Sequence, residues 1–239
     1  MLKFFLKRQI NKYPALYKVY YHLIRKNIGN KVKLPKSDHA FYFDGYPRSG
    51  NTYFAGLLKH STPELQFAHH LHCVSGIKLA LSKKLLVFII IREPIESISS
   101  YYVMKHNKNV NLNSLIKHYC SYYEYLLANH KRIYFIYFPE WLKCKKTTLE
   151  NLMKILDKGS SELTEEIIQE FDTKMKSIEK NKLGTAGSFP NKKKSELKNI
   201  AKAKIISTEQ FKHAQYLFDN LKQATYLKSL NAEPVNAPS

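Results

Sequence analysis

Seven consecutive apolar residues, Leu85 to Ile91 in KKLLVFIIIREP, give the strongest hydrophobic signal in the chain. The run is too short to span a membrane, β-branched at its end and bounded by charge. It predicts a strand of a parallel sheet covered on both faces. Pro94 then suits the first turn of a helix with Ile95 and Ile98 turned inward. Upstream, FYFDGY (41–46) reads as a short aromatic strand, and Phe54, Leu57 and Leu58 recur at helical spacing from Asn51 onward. LQFAHHLH (65–72) is a second short strand and Leu112 to Ala128 a tyrosine-rich helix. RIYFIYF (132–138) is a further strand, and EWLKCKKTTLENLMKIL (140–156) reads as one helix.

Strands alternating with helices predict an α/β fold, a three-layer α/β/α arrangement around a central parallel sheet. Right-handed crossovers put the loops that follow the strands on one edge, where ligands bind in such sheets. The last third differs. EKNKLGTAGSFPNKKKSELK (179–198) carries Gly, Pro and lysines with no apolar period until Ile205, which predicts a mobile loop and then one or two terminal helices, the last around Thr208 to Gln223. The chain divides into a basic helical N-terminal segment (1–38), a main α/β domain (39–230) and a tail expected to be disordered (231–239). KLPKSDHA (Lys33 to Ala40) reads as the linker between the first two.

At 44% hydrophobic, the 239 residues can bury a full core. Lysine and arginine number 39 against 19 acidic residues, a net charge of +20, which favours anionic partners or simply aids solubility. The lysines are scattered and carry no nucleic-acid motif, so nucleic acid is not an expected partner. Cys73, Cys120 and Cys144 form neither a zinc pattern nor a disulfide framework, and a reducing cytoplasm is the expected location. Lys3, Lys7 and Arg8 interrupt the apolar N-terminus, which reads as neither a signal peptide nor a spanning helix. It fits either a basic amphipathic helix lying peripherally on a membrane or one packed on its own domain.

The candidate chemistry begins at GYPRSGNT (45–52). Its G-x-x-x-x-G spacing between a predicted strand and helix is that of a phosphate-cradling P-loop, but Asn51 stands where that loop has lysine and Arg48 sits inside. A nearby strand of a P-loop triphosphatase ends in an aspartate that helps hold magnesium. Here LLVFIII ends in Arg92, a guanidinium suited to phosphate. With Arg48, the pocket edge carries protein cations and no evident metal ligand. The expected ligand is a nucleotide with an additional phosphate group.

These residues resemble the PAPS-dependent sulfotransferases. YPRSGNTY (46–53) is similar to the family's 5′-phosphosulfate loop, Y-P-K-S-G-T-T-W, and REPIESISSYY (92–102) to its 3′-phosphate motif, R-x-P-x-D-x-x-x-S-Y-Y. Clear resemblance covers about residues 40–105, and YFIYFPEWL (134–142) is similar, in altered form, to the strand carrying Y-E-D-L. The resemblance implies a P-loop-like phosphosulfate-binding loop. Arg48 and the main-chain N–H groups of Ser49, Gly50, Asn51 and Thr52 would hold the 5′-phosphosulfate of 3′-phosphoadenylyl sulfate (PAPS). The Thr52 hydroxyl would assist, and Tyr53 replaces an aromatic that packs near the adenine. Arg92 and Ser100 would hold the 3′-phosphate. Arg48 in place of lysine keeps the charge, and Asn51 in place of threonine can still cap the helix.

The same resemblance places a catalytic base in FAHHLHC (67–73). The family's K-T-H-L-P aligns on His70, with Ala68 where the family has lysine. His69 and His72 compete, strand alternation putting His70 and His72 on one face and His69 opposite. KLGTAGSFPNKKK (182–194) partly resembles the family's C-terminal R-K-G-x-x-G-D-W-K loop. Gly184 and Gly187 keep the glycine spacing, Lys182 falls where arginine meets the 3′-phosphate, and Ser188 and Phe189 replace Asp-Trp. Implied is a metal-free transfer of a sulfuryl group from PAPS to a hydroxyl or amine of a small-molecule or glycan acceptor, releasing 3′,5′-ADP. A P-loop kinase of a small metabolite and a non-enzymatic basic module binding nucleic acid or membrane are the competing readings.

Overall fold

The computed structural model describes residues 10, 13–25, 33–105, 110–158, 163–180 and 192–231. Four strands form one sheet: β1 (Phe41–Gly45), β2 (Phe67–His69), β3 (Leu86–Ile91) and β4 (Tyr134–Tyr137). Their order is β2-β1-β3-β4 and every pairing is parallel, with Phe43 opposite both His69 and Phe88, and Ile91 opposite Tyr137. Parallel strands place all C-terminal ends on one edge, so the loop after Gly45, the histidines after β2 and Arg92 after β3 share that edge.

Alternation along the strands builds two cores. Tyr42, Ala68, Val87, Ile89 and Ile91 enter one cluster, while Phe41, Phe43, Phe67, Phe88 and Ile90 enter the other. The second is largely aromatic: Phe41 stacks on Phe67 at 4.9 Å and Phe43 on Phe54 at 4.2 Å between centroids. Ten α-helices flank the sheet among the described residues. On the first face lie α1 (Pro14–Tyr20), α3 (Val74–Ser82), α4 (Pro94–Lys105), α5 (Leu112–Ala128), α9 (Lys192–Ile206) and α10 (Glu209–Asn231). The second face carries α2 (Asn51–Ser61), α6 (Phe138–Lys143), α7 (Lys145–Ile155) and α8 (Glu165–Lys180). The α/β/α arrangement expected from the sequence is the arrangement observed.

α1 turns Tyr17 into the first core and leaves Tyr13, Leu16, Val19 and Leu23, the last in its π-helical extension Tyr21–Arg25, exposed. Among the described residues no helix is long and apolar enough to cross a membrane. The single helix expected over 140–156 is broken: Cys144, at φ −122° and ψ 53°, leaves helical geometry and separates α6 from α7. Trp141 and Leu149 thereby both reach the second core. The three cysteines are free, Cys73 and Cys120 buried and Cys144 exposed.

Candidate functional site

The loop after β1 is closed by its own polar groups. The Ser49 amide donates to the Tyr46 carbonyl at 3.1 Å, and the Tyr46 hydroxyl donates to the Leu115 carbonyl at 3.1 Å. Arg48 (φ 73°) and Gly50 (φ 86°) both occupy the left-handed region. For a residue with a side chain that conformation costs about 1–3 kcal/mol and persists where surrounding contacts impose it. Gly50 is required twice over, because a Cβ there would also strike the Phe138 ring. Gly45 lets β1 approach β3, since a Cβ would stand 2.6 Å from the Ile90 carbonyl oxygen.

α2 opens with Gly50 as its N-cap and no side-chain cap. Its first donor to the cap is the Phe54 amide, which bonds the Gly50 carbonyl at 3.0 Å. The amides of Asn51, Thr52 and Tyr53 precede it and have no acceptor inside the helix, so the positive end of α2 faces the sheet edge. Asn51 does not cap the helix as expected. It is the first helical residue, and its Nδ2 donates to the Gly45 and Tyr46 carbonyls, 3.2 Å each, tying the loop's two ends together. Ser49 Oγ is buried with no hydrogen-bond partner among the described residues.

The two motifs, distant in sequence, meet here. Arg48 Nε donates to Ser100 Oγ at 3.1 Å, and Arg92 Nη1 donates to the Arg48 carbonyl at 2.7 Å. The Arg92 guanidinium lies over the Phe138 ring at 4.2 Å, and its Nη2 is 3.5 Å from Glu96 Oε2. The Arg92 backbone is clamped by α5: the Tyr119 and Tyr123 hydroxyls reach its carbonyl at 2.8 and 3.1 Å, and its amide meets Tyr123 Oη at 3.0 Å. Glu96 is bound by Lys198 and Lys202 of α9. Burial alone raises its carboxyl, but the two lysines outweigh that and bring it down to about 2. Glu96 therefore does not depend on Arg92 for charge balance.

At the end of β2 the expected alternation stops. β2 finishes at His69, and His70 (φ 67°) and His72 (φ 52°) both adopt left-handed backbone. His70 Nε2 lies 3.1 Å from Thr52 Oγ1 and its Nδ1 2.5 Å from His69 Nδ1, while His69 Nε2 lies 2.8 Å from Lys59 Nζ. His72 turns to β1, its Nδ1 2.8 Å from the Gly45 carbonyl and 2.9 Å from Asp44 Oδ1. Asp44 is fully buried and also accepts from the Tyr42 hydroxyl at 2.5 Å and the His72 amide at 2.6 Å. Burial pushes the Asp44 carboxyl up, but His72, the Tyr42 hydroxyl and the Gly45 amide prevail and hold it below the ordinary value.

Burial, reinforced by His70 and Lys59, pushes His69 down to about 3 from its ordinary 6.5. The folded protein thus leaves His69 neutral where the unfolded chain protonates it. Stability is complete above pH 6.5 and falls as pH drops toward 3. Between pH 7.5 and pH 5 the expected loss from His69 is about 2 kcal/mol. Urea unfolding at the two pH values checks this: His69→Gln should lose about 2 kcal/mol less than the wild type, and equal losses would contradict the assignment. Glu96 and Asp44 contribute only below their ordinary values of 4.5 and 3.8, outside this window.

Of the expected site residues, the structure brings together Arg48, Ser49, Gly50, Asn51, Thr52, Arg92, Ser100 and His70. Tyr53 turns to the second core, beside Trp141 and Phe171, with its hydroxyl bonded to Asp172 and Lys145 Nζ 5.1 Å over its ring. Lys182, Gly184, Gly187, Ser188 and Phe189 lie outside the described residues. Tyr119, Tyr122 and Tyr123 are core residues, so the tyrosine-rich helix serves packing and the Arg92 clamp. Asp44, Phe138 and Lys59 were not anticipated. An acidic residue in an otherwise apolar strand was the available signal for Asp44, since buried carboxylates are rare without a partner.

No protein-family model matches the sequence, and no curated protein matches it significantly. Among solved structures, a crystal structure of mouse sulfotransferase SULT7A1 complexed with PAP overlaps 83% of this chain and 90% of its own, at 13% identity and a TM-score of 0.48.

Proposed function

We propose that the protein is a sulfotransferase moving a sulfuryl group from PAPS to a hydroxyl or amine of a small-molecule or glycan acceptor. The observation carrying this reading is the convergence of Arg48, Ser100 and Arg92 on the β1 and β3 ends, through the Arg48–Ser100 and Arg92–Arg48 hydrogen bonds. Two guanidiniums beside a helix N-terminus suit a ligand with two anionic groups. Ser49 Oγ, buried and without a hydrogen-bond partner among the described residues, adds a donor within the loop. Bound there, PAPS would supply an activated sulfuryl group and leave as 3′,5′-ADP.

The chain's own residues have distinct parts. The amides of Gly50, Asn51 and Thr52 and the Arg48 guanidinium receive the 5′ end and stabilise the negative charge that develops on the leaving oxygen. Arg92 and Ser100 receive the 3′-phosphate. Removal of the acceptor proton falls to one of the histidines at the end of β2. A side-chain cation at the leaving oxygen suffices for a sulfuryl group, which carries less charge than a terminal phosphoryl group.

Calorimetry with 3′,5′-ADP, 5′-AMP and ATP–magnesium tests the donor site, and incubation with labelled PAPS and a cell extract, with mass identification of the product, tests transfer. The expected result is tightest binding of 3′,5′-ADP and label transfer that persists in EDTA. ATP–magnesium binding as well as 3′,5′-ADP, with strict magnesium dependence, would support a kinase instead.

A further inference from the structure

The histidines at the end of β2 fall into two separate hydrogen-bond systems, and the proton on each ring follows from what faces it. An ammonium only donates, so Lys59 Nζ donates to His69 Nε2 at 2.8 Å. Neutral His69 then carries its proton on Nδ1, which faces His70 Nδ1 at 2.5 Å. That contact occupies the His70 Nδ1 lone pair, so neutral His70 holds its proton on Nε2, directed at Thr52 Oγ1 at 3.1 Å. In this arrangement both His70 nitrogens are engaged, and its Nε2 presents a proton rather than a lone pair.

His72 has the opposite polarity. Its Nδ1 lies 2.8 Å from the Gly45 carbonyl, which accepts the ring proton, so the proton sits on Nδ1 and the lone pair on Nε2. Asp44 Oδ1, 2.9 Å away, is a charge neighbour with no hydrogen bond among the described residues. Asn51 Nδ2 approaches Nδ1 at 3.4 Å, but its two hydrogens go to the Gly45 and Tyr46 carbonyls. The fully buried Asp44 carboxylate stands behind the ring, fixed by the Tyr42 hydroxyl and the His72 amide. The Gly45 carbonyl fixes the tautomer, and a carboxylate so close stabilises the imidazolium formed when Nε2 takes a proton.

We propose that His72, oriented by Asp44, is the general base of the transfer, in place of His70. The assignment rests on the sulfotransferase reading above. In the step, the acceptor O–H (or N–H) bond breaks with its proton passing to His72 Nε2. The acceptor atom forms a bond to sulfur, and the bridging S–O bond breaks with its electron pair leaving on the 5′-phosphate oxygen of 3′,5′-ADP. Asp44 is a positioning residue and touches neither reactant.

Two measurements test this on the full chain. Long-range 1H–15N spectra of histidine-labelled protein should show His72 with its proton on Nδ1 and His70 with its proton on Nε2, and Asp44→Asn, which leaves the Gly45 carbonyl in place, should weaken the His72 preference. A His72 ring carrying its proton on Nε2 in the wild type would overturn the assignment. In turnover of labelled PAPS with the extract acceptor, His72→Gln should fall about 10²- to 10⁴-fold with 3′,5′-ADP affinity unchanged, and His70→Gln less than about 10-fold. Should Asp44→Asn fail to fold, His72→Gln, checked by its melting curve, decides alone. Retained turnover in His72→Gln overturns the base assignment only, whereas failure of the wild type to bind 3′,5′-ADP overturns the donor site.

Discussion

Replacing Arg48 with methionine is expected to lower sulfuryl transfer about 10²- to 10³-fold while changing 3′,5′-ADP affinity far less. The size follows from what one preorganised donor contributes at a site of developing charge, about 2.7–4 kcal/mol. Methionine keeps the aliphatic stem, so the loss reports the guanidinium. The loop itself should survive. Its closure depends on the Ser49 amide, the Asn51 side chain and the Tyr46 hydroxyl, none of which involves the Arg48 side chain. What the variant does remove is the bond from Nε to Ser100 Oγ, which fixes where the charge sits relative to α4. Arg48→Lys restores the charge without the planar fork and should recover part of the rate. Single-turnover measurement with labelled PAPS separates chemistry from binding, and a rate within threefold of wild type in Arg48→Met would remove Arg48 from leaving-group stabilisation.

Much of this site was legible before any coordinates. The apolar run ending in Arg92 read as a buried strand by its length and β-branching, and glycine spacing between a strand and a helix marked the loop. Ser100 came from the resemblance of REPIESISSYY to the 3′-phosphate motif, which has a serine eight places after its arginine. Other features depend on tertiary contacts that no local pattern carries. Phe138 supports Gly50 and Arg92 only because β4 runs beside β3. Glu96 is met by Lys198 and Lys202, about a hundred residues later, through the docking of α9 on α4.

Two misses have local physical reasons. α3 was hidden by Gly76 in its first turn, a poor helix former that the fold requires because a Cβ there would strike the Tyr42 hydroxyl and Leu71. The histidines were misplaced because alternation was carried past the end of β2. At left-handed residues the period of two no longer applies, so facing had to come from Asp44 and Lys59.

Arg92→Ala should weaken 3′,5′-ADP binding by about 2–4 kcal/mol, roughly 30- to 1,000-fold, the loss that follows from truncating one partner of a part-buried, charge-assisted contact. Binding of 5′-AMP should fall much less, though not to zero effect, because Arg92 also donates to the carbonyl of the strained residue Arg48 and so steadies the 5′ loop. The structure argues against a large folding defect as the cause. Glu96 keeps Lys198 and Lys202 when Arg92 is gone, and the Arg92 backbone remains held by Tyr119 and Tyr123. The remaining structural losses are the bond to the Arg48 carbonyl and the guanidinium over Phe138, the latter about 0.5–2 kcal/mol. Calorimetry with both nucleotides on the same preparation therefore reads the 3′ contact as a difference, with folding effects cancelled. Equal losses for the two ligands would mean that Arg92 acts through the loop alone and that the 3′-phosphate is held elsewhere.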